Sequence, residues 1–359
     1  MSASRVEDLG QLLIIGLEED RWNSALEKRL QAIRPGGVLL TPRNLRTPET
    51  TADLLGKIAK TLDAPPFLAI EDAAVGVDPL LKFFPALPSL HVVATKGPLS
   101  AEKLGDLAGA GLHLLGFNTT YAPLLDLVTE PQEVRPRNMV LGTDAKLITI
   151  SADAFVRGLQ QHGVLACPKY FPGVGDPKTD PDSGLDISGK PMARMWSEDL
   201  VPYRKLLPRV QLVLASHRGY KAYDLNNETP ASLSANVLEG LLRVKLGYSG
   251  VALANFSSLL DHMSVEVEII LKSIAAGCDM VMAGPGGRSI EFVVESLRIA
   301  FDAGTISTQR ADEALKRIAR AKKGLRRPTG KFSKKSFDRL CRYFEEFNKD
   351  CKTADRENA

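Results

Sequence analysis

Lys169-Tyr170-Phe171-Pro172-Gly173-Val174-Gly175-Asp176, with Asp182-Ser183-Gly184 close behind, follows the apolar run Val164-Leu165-Ala166-Cys167 after a single proline, Pro168. A short apolar run that breaks into glycine and proline reads as a buried strand ending in a shaped loop. The same pattern recurs along the chain. Its other apolar runs are Leu12-Leu13-Ile14-Ile15-Gly16, Gly37-Val38-Leu39-Leu40-Thr41, Pro66-Phe67-Leu68-Ala69-Ile70-Glu71 and Leu112-His113-Leu114-Leu115-Gly116. They continue with Gln211 to His217, Gly250-Val251-Ala252-Leu253-Ala254-Asn255 and Met280-Val281-Met282-Ala283-Gly284. Continuous apolar runs of this length suit strands covered on both faces, and parallel strands need helical crossovers.

Helix-period segments supply the crossovers: Pro48 to Leu62, Ser100 to Ala108, Leu147 to His162, Ser234 to Leu246 and Ile290 to Ala303. Ser307 reads as the cap of a further helix. Eight strand candidates in this alternation predict an α/β fold, a single-domain (β/α)8 TIM barrel. An open doubly wound sheet is the alternative that the strand count disfavours. The barrel is assigned to residues 1–327 and a basic amphipathic extension to residues 328–359. In that extension Phe337, Leu340, Phe344 and Phe347 fall at helical spacing, so a short C-terminal helix is expected to dock on the barrel or on another subunit.

Composition narrows the class. Of 359 residues 44% are hydrophobic and 25% charged, ordinary values for a chain with a large core. A net charge of +3 argues for neither a nucleic-acid nor a membrane partner. The four cysteines show no C-x-x-C spacing, which points to reduced thiols in a cytoplasmic protein. His91, His113, His162 and His262 lack metal-ligand spacing, and no metal or cofactor is expected. Gly284-Pro285-Gly286-Gly287-Arg288 reads first as a tight strand-to-helix turn.

The motifs resemble glycoside hydrolase family 3, of the β-N-acetylglucosaminidase (β-hexosaminidase) type. Lys169 to Gly175 is similar to K-H-F-P-G-H-G, and Asp182-Ser183-Gly184 to D-S-H. Gly36 to Asn44 resembles G-G-x-I-L-F-x-R-N, and Gly116 to Asp126 resembles G-I-N-x-x-F-A-P-V-L-D. Ser216-His217 stands where the family has A-H, and Ala276-Gly277-Cys278-Asp279-Met280 matches A-G-x-D-x.

The resemblance implies an O-glycosyl hydrolase whose nucleophile is the aspartate of G-V-x-x-S-D and whose proton donor is the histidine of D-S-H. Here Asn255 takes the nucleophile position and Gly184 the acid/base position, while Asp182 remains. A carboxamide carries no negative charge, and glycine has nothing to titrate. Around the implied sugar, Glu71 replaces an aspartate, Met139 an arginine and Tyr170 a histidine, whereas Lys169 is retained and His217 ends its strand run. The expectation is a catalytically inactive or impaired pseudoenzyme that binds carbohydrate or regulates. The alternative is a glycosidase for a different glycan using recruited acids, drawn from Asp182, Asp180, Glu71 and Asp261.

Overall fold

The computed structural model describes residues 8–71, 82–88, 90–127, 144–174, 186–225, 229–256, 263–284 and 290–357. Eight parallel strands form one sheet: β1 (Leu13–Gly16), β2 (Gly37–Leu40), β3 (Phe67–Glu71), β4 (Thr119–Tyr121), β5 (Leu165–Ala166), β6 (Leu212–Leu214), β7 (Val251–Asn255) and β8 (Met280–Ala283). The order runs β5-β4-β3-β2-β1-β8-β7-β6, so sequence neighbours lie side by side and β8 returns to β1. In that return Leu13 pairs with Val281. Every residue of β1, β2 and β8 is buried, as apolar runs between a packed interior and a ring of helices require.

The two edges of this sheet meet through Pro168 to Phe171. Leu214 N donates to Pro168 O (3.0 Å), Phe171 N to Leu214 O (2.8 Å) and Ser216 N to Phe171 O (2.8 Å). On the other side Lys169 N donates to Pro123 O (3.1 Å), and Leu125 N to Lys169 O (2.8 Å). The start of the Lys169 run is therefore the seam that closes the barrel.

The outer layer comprises α1 (Ser24–Ile33), α2 (Pro48–Thr61), α3 (Leu90–Thr95), α4 (Pro98–Leu115), α5 (Ala145–Gln160), α6 (Met192–Ser197), α7 (Leu200–Leu206), α8 (Met263–Ala276), α9 (Ile290–Asp302) and α10 (Thr308–Lys322). Asn236–Lys245 forms a further helix with π-type turns. Ser307 caps α10 as expected, its side chain accepting from Arg310 N.

One expected strand is wrong. Leu112 to Gly116 is the last turn of α4 and its left-handed cap, with Gly116 at φ 98°. A helix buried on several sides carries an apolar run that periodicity cannot tell from a strand. The true fourth strand is Thr119–Tyr121, whose threonines are wholly buried. Asn118 sets it against β3: its amide donates to Pro66 O (2.9 Å) and its carbonyl accepts from Leu68 N (2.7 Å).

Asp279, fully buried ahead of β8, has a structural reason to be there. Its carboxylate accepts from Arg243 (2.6 Å), Arg310 (2.5 Å), Arg317 (2.9 Å) and the backbone of Ala252 (2.9 Å). Three guanidinium groups, two from α10 and one from the Asn236–Lys245 helix, are thus tied to the start of two neighbouring strands. The last helix, α11 (Lys334–Glu357), packs on the barrel's outer layer, with Phe337 and Phe344 each 5.0 Å from Phe84. At 24 residues it is longer than the short helix expected. Among the described residues no helix is long and apolar enough to cross a membrane.

Candidate active site

The C-terminal ends of the strands form one mouth of the barrel, and Glu71, Lys169, Tyr170, His217 and Asn255 all lie there. Glu71 ends β3 and Asn255 ends β7. Across the mouth, Asn255 Nδ2 donates to Glu71 Oε1 at 2.9 Å. A carboxylate only accepts, so this contact fixes which end of the amide faces Glu71. The backbone oxygen of Asn255 also accepts from His217 Nε2.

With Nε2–H donating to that carbonyl, His217 Nδ1 is the acceptor for the Ser232 hydroxyl at 3.1 Å. Its ring packs on Phe256, with centroids 4.8 Å apart. Burial pushes the imidazole below its ordinary value, against a smaller upward pull from the Asn255 carbonyl, so His217 is neutral at pH 7. Both ring nitrogens are engaged inside the protein.

Lys169 is 97% buried behind the seam, with its amine 5.0 Å from the centre of the Tyr170 ring. Burial, ahead of neighbouring charges, raises the Tyr121 phenol and the Cys167 thiol well above their ordinary values and keeps both protonated. The run then turns sharply: Gly173 N donates to Tyr170 O (2.7 Å), Tyr220 Oη to Gly173 O (2.9 Å), and Val174 N to the buried carboxylate of Asp126 (2.8 Å). Gly173 stands at φ 115°, and a Cβ there would lie 2.8 Å from Asp199 Cβ. Only glycine meets both conditions.

Sequence reading missed Arg218. Its guanidinium donates to Val174 O and lies 3.1 Å from the Asp186 carboxylate, a pair that is almost wholly buried. Val174 and Asp186 flank residues 175–185, so one side chain ties the two ends of that segment together. The paired strands Ile187–Ser188 and Gly219–Tyr220 reinforce the same junction. An arginine next to Ser216-His217 at a strand end was the available signal. Met139, Asp182 and Gly184 lie outside the described residues, as do Asp180, Asp261 and the Gly286-Gly287 turn.

The described mouth therefore offers a carboxylate tied to a carboxamide, a neutral histidine, a buried lysine and an aromatic ring. These groups suit hydrogen bonding to hydroxyl and amide groups.

A β-hexosaminidase of Alkalilimnicola ehrlichii is 32% identical over 291 residues, which is 75% of this chain and 79% of that protein. A fungal multi-domain GH3 β-N-acetylglucosaminidase superposes with a TM-score of 0.86 at 22% identity; the match covers 96% of this chain but only 42% of the fungal one. The GH3 β-N-acetylglucosaminidase of Paenibacillus sp. str. FPU-7 gives 0.83 at 24%, over 97% of this chain and 69% of its own. At such identities the two structures carry the fold alone. The glycosyl hydrolase family 3 N-terminal domain matches residues 5–321, and the chain belongs to that family.

Proposed function

We propose that this chain is a carbohydrate-binding or regulatory relative of the β-N-acetylglucosaminidases in which glycoside hydrolysis is lost or severely impaired. The observation that carries this reading is the 2.9 Å bond from Asn255 to Glu71. A retaining glycosidase needs a carboxylate free to attack the anomeric carbon and a proton donor for the leaving oxygen. At the end of β7 this chain presents an uncharged amide, already bonded to the Glu71 carboxylate. Enzymes lower barriers by about 8–23 kcal/mol, and loss of the nucleophile and the proton donor removes most of that. What remains at the mouth is suited to holding a sugar: Lys169 and Tyr170 beside the seam, and Glu71 with Asn255 across it. The spacing of Cys167, Cys278, Cys341 and Cys351, without C-x-x-C, supports a reducing, cytoplasmic setting for this role.

The test is hydrolysis of a chromogenic N-acetyl-β-glucosaminide at high protein concentration, paired with a melting series in N-acetylglucosamine. The reading expects ligand-dependent stabilisation without turnover, because a ligand bound only by the native state raises stability. Turnover above an unrelated control protein, or a covalent adduct with a mechanism-based fluorosugar, would overturn it.

A second reading rests on Glu71, which keeps a carboxylate at the mouth: a glycosidase of different specificity with recruited acids. It requires that Glu71→Gln, or replacement of Asp180, Asp182 or Asp261, abolish whatever glycosidase activity is found.

A further inference from the structure

At the opposite, N-terminal end of the barrel, a cavity of about 560 Å³ lies between the segments that lead into β1, β2 and β3 and the end of α10. Its size falls in the range of small-molecule pockets. Lys322, the last residue of α10, lines it and is 6% exposed. Its amine donates to Gln11 Oε1 at 2.7 Å and sits 5.2 Å from the centre of the Phe67 ring. Among the described residues no carboxylate pairs with it.

Gln11 is itself locked. Its Nε2 donates to Arg34 O (2.7 Å) and Pro35 O (3.4 Å), so its oxygen must face the lysine. Among the described residues the amine thus has one neutral acceptor and no ion-pair partner. Burying an ammonium in that state is unfavourable, and proteins resolve it by removing the proton or by supplying an anion. Burial alone pulls the Lys322 amine down to about 7, so both forms are present near neutral pH.

The other charged groups on the wall are Asp8, Arg34, Asp63 and Lys323. Arg34 and Asp63 pair with each other at 3.1 Å. With Asp8, Lys322 and Lys323 also on it, the described wall carries one more cationic than anionic side chain when Lys322 is protonated. Leu62, Pro65, Leu315 and Ile318 make the rest of the wall largely apolar. The N-terminal face of a barrel usually serves stability, yet an unpaired buried lysine works against stability unless something pairs with it.

We propose that this cavity is a second binding site, separate from the mouth, for a small monocarboxylate with an apolar body, and that the carboxylate takes Lys322 as its counter-ion.

The test is isothermal titration calorimetry of the full chain with acetate, butyrate, hexanoate and benzoate between pH 6.5 and 9, in two buffers of different ionisation enthalpy. Hexanoate is expected to bind at least about tenfold tighter than acetate, since each buried methylene adds to affinity. Above pH 7 binding should take up close to one proton, and affinity should fall about tenfold per pH unit, because the neutral amine must first be protonated. Lys322→Met, close in volume, should abolish binding while leaving N-acetylglucosamine stabilisation at the mouth unchanged. Gln11→Glu supplies a built-in carboxylate to Lys322 and should abolish binding and proton uptake with the lysine still in place. Absence of binding in the wild type, equal affinity for acetate and hexanoate, unchanged affinity in Lys322→Met, or binding without proton uptake above pH 7 would each overturn the proposal.

Discussion

Replacing Asn255 by aspartate restores the residue type expected of a nucleophile, and it also sets a second carboxylate beside Glu71, where an amide now donates at 2.9 Å. Two effects combine. A hydrogen bond to a charged acceptor, worth about 1.5–3 kcal/mol, is lost. Two like charges about 4 Å apart repel by about 4 kcal/mol at an effective dielectric constant of 20. Protonation of the pair sets a ceiling: holding one proton at pH 7 on a carboxyl that ordinarily titrates near 4 costs about 4 kcal/mol. Asn255→Asp should therefore lose about 2–4 kcal/mol of stability at pH 7.

The pH dependence follows from the sign of that shift. The folded-state pKa of the pair is raised above its unfolded value, so the mutant is least penalised near pH 4. The penalty grows as pH rises and levels off above the folded pKa. Urea melts of wild type and mutant at pH 4.5, 6 and 7.5 measure it. Asn255→Asp with Glu71→Gln returns an amide–carboxylate pair of reversed polarity and should recover most of the loss. Equal stability of wild type and Asn255→Asp at pH 7.5, or a loss that does not change with pH, would rule out charge repulsion across the mouth. Aspartate alone will therefore not rebuild a nucleophile, because the pair will hold a proton. Shortening Glu71 to aspartate and adding Gly184→His are further requirements.

Gly173→Ala should lose about 2–4 kcal/mol in a urea melt, from the left-handed backbone and the contact with Asp199 Cβ together. Asp279→Asn leaves Arg310 and Arg243 buried with weakened partners; a loss of about 3–5 kcal/mol is expected, read as a lower denaturation midpoint with an unchanged m-value. His217 is neutral because burial lowers its pKa, so the wild type should lose stability as pH falls below about 6.5. His217→Asn should flatten that part of the profile, and a wild-type curve already flat between pH 6.5 and 5 would contradict the assignment.

The barrel was legible because its strands are apolar on both faces and return at regular intervals. Seven of the eight runs quoted above coincide with barrel strands. The fourth strand escaped because Thr119 and Thr120 are polar by composition and buried by position, while the adjacent helix end carried the stronger apolar signal. The meeting of Glu71 with Asn255 was not legible either. The two residues are 184 positions apart, and only barrel closure brings their side chains within bonding distance. Arg218 was hidden for a similar reason: its partners, Val174 and Asp186, are distant in sequence, and an arginine in a loop normally reads as solvated. Lys322 sits in a helix rich in basic residues, where nothing distinguishes a buried amine from its exposed neighbours.

The seam has a consequence for how such chains change over time. Phe171 bridges the barrel's edges, and Gly173 turns against Asp199. These residues stabilise the closed barrel, whether or not it turns over a sugar. Mutational erosion is therefore channelled. Side chains that serve only the reaction are free to vanish, while the phenylalanine and glycine beside them are held in place by architecture. In a lineage that abandons hydrolysis, the surviving part of the motif becomes a fossil of the closure rather than a record of the chemistry.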